Sequence, residues 1–198
     1  GDYHGSTIVR DLLKHGDFGI GTFEGVNGEM IVLDGVCYQA LADSLVRKAS
    51  STAKVPFAAV TFFDADYQLK LKGEFDFYNL RYELDSLAYE MGANTFYAVR
   101  IEGDFAYMKV RSVVKQKKPY VSLDKAVKTG QRVFEYRDIK GTLIALYCPP
   151  YASGVNVAGW HVHFLSEACD KGGHVIDLLM REGVADIDRT NEFCMVLP

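Results

Sequence analysis

The chain has 198 residues, 48% of them hydrophobic, with 22 Lys and Arg against 26 Asp and Glu for a formal charge of −4. That suffices for one domain with a real core, while the charge lacks the basic field of a phosphate-backbone binder, so nucleic acid is excluded as the expected partner. No run approaches the roughly 20 apolar residues that span a bilayer, and Gly1-Asp2-Tyr3-His4 is not a signal-peptide opening; no membrane partner and a cytoplasmic location are expected, with a secreted form left open because a chain starting at Gly has been processed.

Residues 6–15 begin with an N-cap candidate and place Ile8, Leu12 and Leu13 at helical spacing before Gly16, predicting a short helix. Glycine-punctuated β-rich sequence follows, with strands predicted at 19–23 and 29–33 about an Asn27-Gly28 hairpin turn and a second turn at Asp34-Gly35. Residues 57–63 read as a strand. Leu84, Leu87 and Ala88 give 80–91 a helical spacing that stops at Gly92. Residues 95–102 and 105–114 alternate as two strands of a hairpin around Gly103-Asp104, with Pro119 beyond the second. A helix capped by Ser122 is expected over 122–129. Strands follow at 141–148, ended by Pro149-Pro150, and at 160–166, before a Gly172-Gly173 turn leads to a last strand at 175–180.

Strands outnumber helices and lie in neighbouring series, so the expected class is α+β with mixed or antiparallel sheets and a few helices, not an alternating βαβ fold. Gly21-Thr22 and Gly141-Thr142 each open a predicted strand, which fits two structurally similar halves sharing an extended sheet. The chain is read as one domain over 1–198, with sub-halves at 1–120 and 121–198. Cys37, Cys148, Cys169 and Cys194 form no CxxC pair, so free thiols are expected and not a zinc ribbon or a disulfide framework. Cys169, near the histidines, is read as structural.

Three of the five histidines fall between positions 161 and 174. In a strand, side chains alternate faces, so His161-Val162-His163 projects both imidazoles from one side. His174 follows at a distance that lets a hairpin return a third beside them. Three neutral imidazoles with an open position suit a catalytic zinc ion, although iron, copper and nickel accept the same donors. Zinc is the choice for non-redox chemistry. A rival pattern is His161-x-His163-x-x-x-Glu167 followed by Gly173, which resembles the first metal motif of cupins and would imply an oxygenase or isomerase. The second cupin motif, with its Pro-x-Gly, has no counterpart in the residues after His174. His15 fits a helix C-terminus and His4 lies near the chain start; neither needs a functional reading.

The stretch from Gly141-Thr142-Leu143 to Pro149, Gly159-Trp160-His161-Val162-His163-Phe164-Leu165-Ser166 and Gly172-Gly173-His174-Val175 closely resembles the metal-binding region of α-acetolactate decarboxylases. Residues 15–23 (HGDFGIGTF), Gly28-Glu29-Met30-Ile31, Asp34-Gly35 and Arg111-Ser112-Val113 with Gln116 and Pro119-Tyr120 resemble that family's other hallmarks, in order along the chain. The resemblance implies Zn2+ on His161, His163 and His174, with Glu29 and Arg111 as catalytic residues and Thr22 and Arg111 in the substrate pocket. On the residues alone, Glu29 reads as a solvent-facing strand glutamate and Arg111 as a surface arginine in a Lys-rich stretch.

The implied reaction is decarboxylation of 2-acetolactate, a small 2-hydroxy-3-oxo acid, to acetoin and CO2 by a homodimer. A dication stabilises the enediolate left by CO2, so no organic cofactor is expected. The family usually continues past the leucine and proline found here at 197 and 198, supplying a second acidic residue from a C-terminal tail. A chain without that tail has a non-catalytic, metal-bearing binding module as its alternative reading.

Overall fold

The structure is a computed structural model and describes residues 2–196. Gly1, Leu197 and Pro198, and with them the expectation attached to the end at Pro198, lie outside the described residues. In chain order the elements are β1 (Thr7–Ile8), α1 (Val9–Leu12), β2 (Phe18–Thr22), β3 (Glu29–Leu33), β4 (Val36–Ala40), β5 (Val46–Lys48), β6 (Lys54–Val55), β7 (Phe57–Thr61) and β8 (Tyr67–Asp76). There follow α2 (Phe77–Gly92), β9 (Phe96–Val113), α3 (Leu123–Gly130), β10 (Gln131–Cys148), a 3-10 turn (Pro150–Ala152), β11 (Gly159–Ser166) and β12 (Gly172–Thr190). The α+β class with antiparallel sheets and few helices is what the structure shows.

The smaller main sheet is antiparallel, ordered β5-β4-β3-β2-β7. Its two faces differ in what they cover. Ile20, Ile31 and Ala40 turn toward the other main sheet and pack with Phe18, Ala98, Ile144 and Leu165, whereas Met30, Val32 and Cys37 pack outward with Phe23, Val55 and Val9 of the short α1. Alternation along β3 sorts these residues, since positions 29 and 31 face one way and 30 and 32 the other.

The second main sheet runs β11-β10-β9-β12-β8, and β11 also pairs with the start of β12. The four strands β9, β10, β11 and β12 therefore close on themselves, and β8 is added outside. These strands, β8 and α2 share the largest core cluster, which includes Leu71, Phe105, Met108, Leu143, Phe164, Leu178 and Ile187. Helix α2 lays Leu80, Leu84 and Ala88 on this core at i, i+4 and i+8, and starts at Phe77 because the Asp76 carboxylate accepts the Asn79 amide at 2.7 Å. A division at residue 120 would separate β9 from β10, its partner over most of both strands.

Several predicted elements are revised. The helix expected over 6–15 is only one turn, because Thr7 and Ile8 pair with Val55 and Lys54 as a strand. The Asn27-Gly28 turn belongs to a longer connection over 23–28 in which Gly25, Val26 and Gly28 all have positive φ. No hairpin forms at Gly103-Asp104, and β9 runs unbroken for 18 residues. Gly103 pairs with Gly141 on one side and Gly183 on the other, and a Cβ on it would sit 3.1 Å from the Glu182 carbonyl, so this glycine serves close approach and not reversal. Gly172 and Gly173 are likewise strand residues of β12, and the reversal lies in 167–171. The cysteines are free, as expected, with Cys37 and Cys148 buried.

Candidate metal centre

Register decides what meets what in the seam between the two sheets. On β11, His163 is the partner of His174 on β12, and His174 is the partner of Arg111 on β9. One rung of the sheet therefore carries Arg111, His174 and His163 side by side, and it continues to Ile144 on β10. His161, two residues before His163, joins the same face beside its own partner Leu146. Reaching this register requires Gly173, whose φ is +147° and where a Cβ would stand 2.7 Å from the Arg111 carbonyl.

The imidazole nitrogens converge. His161 Nε2 lies 3.0 Å from His174 Nδ1 and 3.1 Å from His163 Nε2, and the three candidate donor atoms all lie within 4.8 Å of one another. Donors about 2.0–2.1 Å from a tetrahedral zinc ion stand roughly 3.3 Å apart, so these separations fit a common ion. His163 Nδ1 is 2.8 Å from the Met30 carbonyl oxygen, which can only accept. Nδ1 therefore carries the proton and Nε2 turns its lone pair to the cluster, the tautomer a ligand needs.

Burial keeps all three rings neutral. Desolvation, reinforced by the Arg111 charge, brings His161 down to about 4. His163 and His174 are held well below 6.5 by burial first, with His161, His174 and Arg111 adding to it at His163, and Arg111 and His161 at His174. Neutral imidazole is the form that binds a metal.

Glu29 faces this cluster from the other sheet. It is 8% exposed, so it is not the solvent-facing residue suggested by its place after Asn27-Gly28, and Arg111, whose side chain is 20% exposed, is no free surface arginine. Glu29 Oε2 lies 3.6 Å from His163 Nε2, and Oε1 lies 3.9 Å from Arg111 Nη1. Burial pushes its carboxyl up to about 7 against the opposing pull of Arg111. Consecutive residues of β3 thus give the site a carboxyl from Glu29 and a carbonyl from Met30; the carbonyl's part has no side-chain signal in the sequence.

Thr22 stands between Glu29 and Phe57 in the register, on the face of its sheet that meets the site. Its hydroxyl donates to the Gly28 carbonyl at 2.8 Å, which fixes the group and commits its proton to the loop before Glu29. Glu167, the cupin-type ligand, is exposed in the turn after β11 and outside the histidine cluster. His4 pairs with Glu24 at 2.8 Å, away from the seam.

Three neutral imidazoles on adjacent strands, with a carboxyl and a guanidinium facing them, define a pocket able to hold a metal ion and to move a proton beside it. The alpha-acetolactate decarboxylase family profile matches residues 1–198. The alpha-acetolactate decarboxylase of Methanosarcina mazei is 46% identical over 199 residues, covering 100% of this chain and 68% of the relative. That of Methylococcus capsulatus is 42% identical over 198 residues, covering 100% and 75%. The crystal structure of alpha-acetolactate decarboxylase from Bacillus subtilis strain 168 matches with a TM-score of 0.91 at 35% identity, over 96% of this chain and 80% of that one. The chain belongs to the alpha-acetolactate decarboxylase family.

Proposed function

We propose that this chain decarboxylates 2-acetolactate to acetoin and CO2, with Zn2+ held by His161, His163 and His174, and with Glu29 and Arg111 as its catalytic residues. The names of its relatives support the reaction, and one observation supports the assignment of roles: Arg111, His174 and His163 share a single rung that faces the buried Glu29.

When bound, the dication supplies Lewis acidity for the charge that builds as CO2 departs. Arg111 presents a planar guanidinium suited to the substrate carboxylate, and its register opposite His174 sets it at the edge of the histidine cluster. Glu29, the carboxyl that faces His163 from the other sheet, delivers a proton to the carbon left electron-rich by the broken C–C bond and regains one from water. Thr22 stiffens the approach of β3 and leaves only lone pairs for the substrate. The low exposure of Glu29 and His163 keeps stray water from competing for that carbon.

An acetoin colour assay on 2-acetolactate, run with and without a chelator and then with metal restored, tests this reading. Acetoin formation that stops with the chelator and returns with Zn2+ is the expected result; acetoin production by a metal-free Glu29→Gln protein would overturn it. The same reading carries a homodimer, supported by the exposed strand edges of β5 and β8 and checked by sedimentation, and a cytoplasmic enzyme. No helix among the described residues is long and apolar enough to cross a membrane.

A further inference from the structure

Glu29 reaches the histidines across the seam between the sheets, so its placement depends on how the β3–β4 hairpin is held against β9. Three hydrogen bonds surround it. Gly28, the residue before Glu29, donates its amide to the Val113 carbonyl at 3.0 Å. The carbonyl of Met30, the residue after, accepts from His163 Nδ1 at 2.8 Å, and that of Ala40, the partner of Glu29 on β4, accepts the Ser112 hydroxyl at 2.8 Å. Ser112 and Val113 directly follow Arg111. The segment that carries the guanidinium thus also grips the hairpin that carries the carboxyl, just before β3 and at the end of β4. Of the three bonds, one comes from a side chain outside the histidine cluster. Ser112 is fully buried, between the core residues Val110 and Val113. A hydroxyl in such a place is costly unless it is bonded, and an alanine would fill the position without that cost. What the serine adds is its bond to the other sheet.

We propose that Ser112 is a positioning residue: acting through the Ala40 carbonyl, its hydroxyl fixes how far the Glu29 carboxyl stands from His163 and Arg111. The inference rests on the decarboxylase reading above, in which Glu29 delivers the proton. The two sides of the bond differ in rigidity. β9 is paired on both flanks, and at Arg111 its partners are Val133 of β10 and His174 of β12. Arg111 and the histidines therefore keep their places when the hydroxyl is removed. The hairpin belongs to the other sheet, and loss of its tether at Ala40 lets Glu29 shift relative to that rung. In the dry seam no bulk water replaces the missing donor. A displacement on the order of 1 Å is enough to cost about 10²-fold where reacting groups must align.

The test is steady-state kinetics on 2-acetolactate with metal-loaded Ser112→Ala protein, alone and combined with Glu29→Gln. Ser112→Ala should lower kcat by about 10- to 100-fold, with KM and bound metal, the latter by elemental analysis, close to those of the parent. Added to Glu29→Gln it should cost nothing further, because the carboxyl that it places is already gone. A hydroxyl with a purely structural role would lower the melting temperature and leave the kcat of the folded protein unchanged. That result, or a loss that multiplies with the loss from Glu29→Gln, overturns the role of Ser112 while leaving the decarboxylase reading intact. If Ser112→Ala does not fold, Ser112→Cys, which fills the space with a weak donor, is measured in its place against the same outcomes. Absence of acetoin from the unmodified protein overturns both.

Discussion

Arg111 and Arg181 stand on β9 and β12, adjacent strands of one sheet, in contrasting surroundings. Arg181 reaches Asp104 at 2.6 Å and also bonds Asp138, and all three side chains are a third or more exposed. Arg111 comes no closer than 3.9 Å to Glu29 in its ion pair, too long for a hydrogen bond, yet both are largely buried. The tighter contact is the less consequential. Water competes for every partner of Arg181, so its pairs contribute little, whereas Arg111 holds unspent donors in a seam where charge is weakly screened. Such a guanidinium is available to an incoming carboxylate, and its field already acts on His161, His174 and Glu29.

The comparison can be broken most severely at the histidines. His163→Ala removes a donor and the link to Met30 together; metal affinity should fall by more than the roughly 100-fold that loss of a supporting partner alone can cause, and acetoin formation should vanish. Metal titration of the purified variant checks this. Glu29→Gln should keep the metal and lower kcat by about 10²- to 10⁴-fold, the range for a positioned proton donor; an unchanged kcat would move proton delivery elsewhere. Gly173→Ala should displace the Arg111 carbonyl and the His174 rung, costing on the order of 10² in kcat/KM, with a normal value showing that the strand adapts.

Proton linkage gives a smaller effect. In metal-free protein the three histidines stay neutral far below their ordinary 6.5, His161 down to about 4, chiefly through burial. The unfolded chain takes up protons below pH 6.5 that the folded chain refuses, so their contribution to stability is complete above that value and is lost as pH falls toward 4. Glu29, raised to about 7, works in the opposite direction as pH rises from 4.5, and one carboxyl is outweighed by three imidazoles. Denaturant midpoints of the metal-free protein should therefore drop on acidification, and a flat profile would contradict the buried cluster. Smallest of all, Arg181→Ala should leave activity and melting temperature close to those of the parent.

Much of the fold was legible because alternation and turn residues are local signals. The strands at 29–33 and 160–166 and the helix following Asp76 lie close to where residue patterns place them. Two of the failures share a cause. β8 has no apolar run to announce it, and the first half of β10, with Arg132, Glu135, Arg137, Asp138 and Lys140, looks like a solvated loop; both are strands because a neighbour's backbone pairs with them. Gly103 misled for the opposite reason: a glycine before an aspartate reads as a turn, while its actual role is to lie abreast of two other glycines.

The centre divides the same way. His161 and His163 announce a shared face by their spacing, but the meeting of Arg111 with His174 depends on which strands pair and in what register, which no local pattern contains. Glu29 approaches from a different sheet. Its burial is a tertiary fact, and only the family resemblance pointed to it.

The closed ring of β9, β10, β11 and β12 also bears on time. Amides of Val99, Ile101, Leu143 and Ala145 lie in strands bonded on both sides, so they exchange with solvent only when the ring itself opens, at a free energy near that of global unfolding. The contact that completes the ring is the short β11–β12 ladder, in which His163, Phe164 and Leu165 pair with His174, Gly173 and Gly172. Two of the three imidazoles thus belong to the ladder that closes the ring, so opening the ring there and parting the histidine cluster are one event.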